Sequence, residues 1–122
     1  MVWSVIFHDA FDDEFKQFEP ALKTELLAHA GALQQFGPGL GRPLVDTLNG
    51  SKHSNMKELR FNWKKQVWRV AFAFDPKRQA IFLTAGDKCG ADQKRFYKSL
   101  IGKADLRFDQ HLESVRSEMK SR

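Results

Sequence analysis

Two arginines, Arg60 and Arg69, carry the strongest chemical signal in this sequence. Each stands at an alternating position in a run of β-forming residues, and successive side chains of a strand point to opposite faces. Over residues 57–62, Leu59 and Phe61 take one face, and Glu58, Arg60 and Asn62 take the other. Over residues 67–74, Trp68, Val70, Phe72 and Phe74 take one face, and Arg69, Ala71 and Ala73 the other. If the apolar faces share a core, both arginines emerge on the opposite side, with Ala71 and Ala73 leaving room beside them. A sheet face with two guanidiniums and space above it suits a polyanion, and RNA is the leading candidate.

RNA cleavage by internal transfer asks little of a protein. The 2′-hydroxyl must lose a proton, the phosphorane charge must be stabilised, and the leaving 5′-oxygen must gain a proton. A guanidinium fork binds two phosphate oxygens at once, and fixed positive charge where negative charge develops lowers the barrier. Arg69 and Arg60 fit that task. Glu58 is a candidate base, but neighbouring cations lower a carboxylate's pKa and weaken it. An ion pair that orients the arginines is the stronger reading. Lys88 adds charge and phosphate contact.

Around this centre, Lys57, Lys64, Lys65, Lys94, Arg95 and Lys98 are candidate phosphate contacts. Trp63, at a turn with Lys64 and Lys65, is a candidate base contact, whereas Trp68 alternates with core residues and reads as buried. His53, in the polar loop before the arginine strand, reads as a solvated histidine, and His8 as structural. His29 and His111 fall on helices with no metal-ligand spacing. Cys89 has no evident histidine partner, and Gly86-Asp87-Lys88-Cys89-Gly90 lacks the Gly-Lys-Ser/Thr pattern of a nucleotide phosphate loop.

The elements that must hold these side chains follow from periodicity. Residues 2–7 read as a short strand. Asp9, Asp12 and Asp13 then start a helix reaching about Phe18. Pro20 opens a second helix, with Leu22, Leu26, Ala30 and Leu33 as its apolar stripe, and Gly37-Pro38-Gly39 ends it. Residues 37–55 read as a long connection. Three strands at 57–62, 67–74 and 80–85 form an antiparallel meander with hairpin-length links. Asp92 caps a helix reaching Ile101, Gly102 breaks it, and a last helix from Ala104 or Asp105 presents Phe108, Leu112, Val115 and Met119. The expected fold is α+β in a single domain, residues 1–122. Helices pack on one face of an antiparallel sheet and the other face stays open. The expected core joins Leu59, Phe61, Trp68, Val70, Phe72, Phe74 and Ile81 or Phe82 to helices bearing Leu26 and Leu33.

Composition agrees with a folded chain of 122 residues, 42% hydrophobic and 29% charged. No apolar run approaches a membrane span, the N-terminal segment does not match a signal peptide, and the single cysteine fits a reducing cytoplasm. The net charge of +5 hides a segregation. Residues 1–51 hold 3 basic and 7 acidic side chains, whereas residues 52–103 hold 13 basic and 4 acidic. The basic segment is also the one with the two-arginine face, as nucleic-acid binding would require.

This order of elements, with Gly41-Arg42-Pro43, Met56-Lys57-Glu58-Leu59-Arg60, Trp68 to Asp75 and Gly86-Asp87-Lys88, resembles the RelE/ParE toxin superfamily, and within it the HigB-like, phage-related branch. The resemblance covers nearly the whole chain. It implies a microbial RNase-like fold that cuts messenger RNA in the ribosomal A site without a metal or other cofactor. It also implies a cognate antitoxin of the helix-turn-helix type. ParE-like relatives share the fold but inhibit gyrase, and a non-catalytic RNA- or protein-binding module is a third reading. By position, Arg60 and Arg69 match the family's strand arginines, Lys88 its basic loop, and Tyr97 its base-stacking aromatic. Glu58 stands where RNA-cleaving relatives carry a basic residue, and no histidine ends the last strand.

Overall fold

The structure, a computed structural model, describes residues 3–120. Strand β1 (Ser4–Phe7) leads into helix α1 (Asp9–Lys16). His8 caps α1 by accepting the Ala10 N–H on Nδ1, and Asp9 and Asp12 face the positive end of the helix dipole. Helix α2 (Pro20–Phe36) starts on its proline, and the whole stripe of Leu22, Leu26, Ala30 and Leu33 is buried. It stops at Gly37, whose positive φ suits glycine and where a Cβ would run into the Trp3 indole.

The sheet has the order β1-β5-β4-β3-β2, with β3 at Met56–Trp63, β4 at Gln66–Phe74 and β5 at Gln79–Asp87. The meander is antiparallel as expected, and β1 joins it in parallel beside β5. Strand β2 (Val45–Thr47) lies within the stretch read as a connection. It adds a fifth strand and sets Asp46 opposite Glu58. Arg60 and Arg69 are direct cross-strand partners.

The core under α1 and α2 is close to expectation. Leu59, Phe61, Trp68, Val70, Phe72 and Phe82 pack with Leu26 and Leu33, Phe74 is partly buried, and Phe82 rather than Ile81 joins them. The other face is different. The α+β class stands, but the helices do not keep to one side. Helix α3 (Gln93–Lys120) is continuous and lies over the second face, where Leu100, Ala104 and Phe108 pack on Ala71, Ala73, Ile81 and Leu83. The room beside Ala71 and Ala73 therefore receives a helix. Gly102 does not break it: this glycine is exposed mid-helix, and buried Leu100 and Ala104 on either side hold the helix across it. A glycine penalty of about 1 kcal/mol is small against such packing. In the last turns Val115 is buried and Met119 is exposed.

Two stability measurements check this packing. Phe72→Ala should lower unfolding free energy by about 3–5 kcal/mol in urea titration, because Phe72 is fully buried. Gly102→Ala should raise it by roughly 0.5–1 kcal/mol, since a Cβ there meets nothing within 4 Å. Two helices broken at 102 would gain nothing from the second change.

Candidate functional site

What α3 leaves uncovered is one end of its sheet face, between β2, β3, the β5–α3 loop and the first turns of α3. A cleft of about 300 Å³ opens there, lined by Asp46, Thr47, Asn49, Glu58, Arg60, Lys88, Gln93 and Tyr97, with Leu48 at its base. Strand alternation brings Glu58 and Arg60 to this face, and cross-strand register brings Arg69 beside them. Lys88 arrives from the end of β5, its N–H held by the Val67 carbonyl.

Glu58 is the hub. It is only 4% exposed, yet its two oxygens serve three partners. Oε2 accepts from Arg60 Nη2 at 3.0 Å and Nε at 3.3 Å, and Oε1 accepts from the Tyr97 hydroxyl at 2.8 Å. Arg69 Nε lies 3.7 Å from Oε1, while its Nη1 donates to the Trp68 carbonyl. Arg60 also reaches Asp46 at 3.3 Å. Asp46 accepts in addition from Arg42 and from the Thr47 N–H.

Charge follows from these contacts. The hydrogen bond to Glu58 holds the Arg60 pKa above its usual value. The Thr47 N–H, with Arg42 and Arg60, holds Asp46 below the usual carboxylate range. Burial pushes the Tyr97 phenol up, and its bond to Glu58 adds to this. Burial also depresses Lys88, with Arg69 and Arg60 acting in the same direction against Glu58. Lys88 lies over the Tyr97 ring, 5.6 Å from its centroid. The cleft thus pairs fixed guanidiniums with an ammonium whose proton is loosened.

The sequence-level candidates divide. Arg60, Glu58, Lys88 and Tyr97 line the cleft, whereas Arg69 stands behind the lining with its side chain 12% exposed. Its Nε is buried without a hydrogen-bond partner. Lys94, Arg95 and Lys98 are exposed on the first turns of α3, next in sequence to Gln93 and Tyr97, and do not line the cleft. Lys57 pairs with Phe72 in the ladder, so it points to the α2 side, away from the arginines. Trp63 packs against the α1–α2 core with Lys64 over its ring, and Lys64 lies 3.7 Å from Glu19. With Lys65 they occupy the β3–β4 hairpin tip and are not gathered into the cleft.

His53 is not solvated: it bonds Asp109 at 2.8 Å and packs edge-on to Phe108, so it ties the loop before β3 to α3. His8 is structural as expected, His29 stacks on Phe61, and His111 bonds the buried Asp75. Cys89 is exposed. Among the described residues, no group of three His, Cys, Asp or Glu is placed to hold a metal ion. No helix among them is long and apolar enough to cross a membrane. Sequence reasoning missed Asp46, Asn49 and Gln93. The run Leu44-Val45-Asp46-Thr47 does not alternate, and the three-residue strand it contains left no periodic signal that would carry Asp46 to this face.

The fold is of a known class. It aligns with the E. coli toxin RelE, solved as a double mutant in the free state, with a TM-score of 0.58 over 84% of this chain and 97% of that one. At 10% identity the likeness speaks for the fold alone. Residues 13–109 match the family described as "Phage derived protein Gp49-like", and the chain belongs to that family. Two proteins of Mycobacterium tuberculosis (strain ATCC 25618 / H37Rv) that carry the toxin names HigB2 and HigB3 are similar to it. They are 51% and 50% identical, each over 82 residues. The HigB2 match covers 66% of this chain but 40% of that protein, and the HigB3 match covers 67% and 69%. The likeness to HigB-like chains read from the sequence is therefore met by relatives of that name.

Tyr97 is the only tyrosine, so its ionisation can be followed alone by absorbance near 295 nm. Its midpoint should lie above 10.0 and fall toward that value in Glu58→Gln, which removes the negative charge. For Lys88 the sign is opposite. Its folded pKa lies below the ordinary 10.5, so the unfolded chain binds more protons between the two values. That contribution makes stability rise with pH through this window, and Lys88→Met should flatten the rise in denaturant titrations at several pH values. An unchanged slope would place Lys88 outside this charge cluster.

Proposed function

We propose that this chain is the toxin of a toxin–antitoxin pair, acting in the cytoplasm as an endoribonuclease on ribosome-bound messenger RNA. The observation that carries the reading is the convergence of Arg60, Lys88, Glu58 and Tyr97 on one open cleft, with Arg69 held just behind it by Glu58. Family membership and the named relatives support it.

In this reading Arg60, at the cleft wall, grips the scissile phosphate. Arg69 stands behind it with a buried N–H still available as a donor. Negative charge that develops on the phosphorane meets donors already fixed by Glu58, so little reorganisation is needed. Lys88 gives up its proton to the leaving 5′-oxygen, and its depressed pKa suits that step. Glu58 aims the arginines. The 2′-hydroxyl gives its proton to a water as it attacks phosphorus, and charge stabilisation by the arginines carries most of the rate. Tyr97 lines the cleft while its hydroxyl is held by Glu58. Lys94, Arg95 and Lys98 supply salt-sensitive contacts to the RNA backbone. A cognate antitoxin of the helix-turn-helix type restrains the activity.

One observation favours the other reading, a gyrase-binding chain that cleaves nothing: Arg69 is engaged by Glu58 and the Trp68 carbonyl and does not line the cleft. Inducible expression with mapping of transcript 5′ ends separates the two. New 5′ ends within translated regions are expected. On programmed ribosomes, Arg60→Ala and Arg69→Ala should each slow single-turnover cleavage by roughly 10²-fold or more while leaving antitoxin binding intact. Arg69→Lys should also be slow, because a point charge cannot replace the fork. Lys94→Ala should mainly weaken association at higher salt. Growth arrest with no new 5′ ends and with inhibited supercoiling would favour gyrase.

A further inference from the structure

Arg42 stands in the turn that leads into β2. The Val45 N–H donates to the Gly41 carbonyl across that turn, and the Leu44 carbonyl accepts the Arg60 N–H at 2.7 Å. The backbone that carries Arg42 is therefore fixed against β3, beside the wall of the cleft.

Arg42 and Arg60 meet on one atom. Asp46 Oδ2 accepts from Arg42 Nε at 3.1 Å and from Arg60 Nη2 at 3.3 Å. The two guanidiniums are thus separated by a single carboxylate oxygen. They complete a row in which cations and acids alternate: Arg69, Glu58, Arg60, Asp46 and Arg42. The row crosses the sheet from β4 through β3 to β2, the last strand on that side. Side-chain exposure climbs along it, from 12% at Arg69 to 34% at Arg60 and 78% at Arg42.

The acids hold the cations in line without occupying all their donors. Arg42 gives only Nε to Asp46, so both terminal nitrogens of its fork are without a hydrogen bond among the described residues. Arg60 Nη1 is left over in the same way. An exposed i, i+4 ion pair contributes little to stability, so the Arg42 side chain is not needed there as a brace. A free fork next to another guanidinium donor suits two successive phosphates of a single strand.

Lys88 sets the direction. It enters from the end of β5, and β5 and β2 lie on opposite sides of β3 and β4. Lys88 protonates the leaving 5′-oxygen, which belongs to the nucleotide on the 3′ side of the cut. Downstream RNA therefore lies toward β5, and upstream RNA lies over β2.

We infer that Arg42 grips the phosphate immediately upstream of the scissile one, so that the cleft holds two successive phosphates and fixes the direction in which the messenger crosses it. The inference rests on the endoribonuclease reading and on Lys88 as the acid. Asp46 keeps the two phosphate positions in register, because one of its oxygens holds both guanidiniums.

The test uses the wild-type chain and Arg42→Ala on ribosomes programmed with a synthetic messenger whose single cut has been mapped. In two further messengers one neutral methylphosphonate linkage, on a 2′-O-methyl nucleotide, replaces the phosphate one step upstream or one step downstream of the cut. Each has a matched control with the 2′-O-methyl group and an ordinary phosphate. On the controls, Arg42→Ala should raise the concentration of chain that gives half-maximal single-turnover cleavage by roughly tenfold, and reduce the salt slope of association by about one. The loss should fall on this concentration rather than on the rate at saturation. The wild-type chain should weaken to the same degree on the upstream-neutral messenger, where Arg42→Ala adds no further loss. On the downstream-neutral messenger the effect of Arg42→Ala should persist in full. Wild-type affinity for the upstream-neutral messenger, or an equal loss from Arg42→Ala on every messenger, overturns the inference and leaves the endoribonuclease reading in place. So does an Arg42→Ala effect that vanishes only on the downstream-neutral messenger. A wild-type chain that cuts none of the messengers overturns both.

Discussion

A carboxylate taken out of water has to be paired, and Glu58 is paired on every side that matters. Removing one partner of such a buried set leaves an uncompensated charge, at a cost of about 3–5 kcal/mol. That constraint organises the whole end of the molecule. It fixes the direction of Arg60, holds Arg69 within reach, and pins the Tyr97 hydroxyl, so that the first turns of α3 are anchored to β3. Asp46 extends the same arrangement to β2, which is why a three-residue strand matters to the site. Basic side chains that would repel one another are kept close by the two acids between them.

The second constraint is steric. Ala71 and Ala73 let α3 lie close on the sheet, and Phe108 and Leu100 fill the contact. Beyond Leu100 toward the helix start, the facing positions become Glu58, Arg60 and Arg69, and the apolar contact gives way to the cleft. The straps from α3 to neighbouring loops hold this placement. His53 and Lys52 both pair with Asp109, and His111 pairs with Asp75, whose carboxylate also fixes the β4–β5 turn through Lys77 N–H and Gln79 N–H. Arg107 adds a two-pronged contact to Glu14, joining α3 to α1 past the sheet.

Much of this was legible from residue order because it is local. Period-two alternation gave the faces of β3 and β4, and the i, i+4 stripe gave the buried side of α2. What sequence could not give was which helix lies on which face. Ala71 and Ala73 look the same whether a helix or a ligand fills the space above them. Gly102 misled because glycine's cost in a helix is an intrinsic preference, and two buried contacts on either side outweigh it. Of the site, Arg60, Glu58 and Lys88 were readable from alternation and loop position. Asp46 was hidden in a strand too short to show a period. Lys57, Trp63, Lys64 and Lys65 were grouped with the site by charge, but strand register and the hairpin tip carry them elsewhere.

If Glu58 is what makes the cleft a site, its charge can be removed with little change of shape. The direct measurement is single-turnover cleavage of messenger RNA on programmed ribosomes by the wild-type chain and by Glu58→Gln, each shown folded by circular dichroism. Cleavage by Glu58→Gln should be slower by roughly 10²-fold with ribosome binding nearly unchanged, because arginines that are no longer aimed lose their grip on the developing charge. Cleavage by Glu58→Gln at the wild-type rate would contradict that role for Glu58.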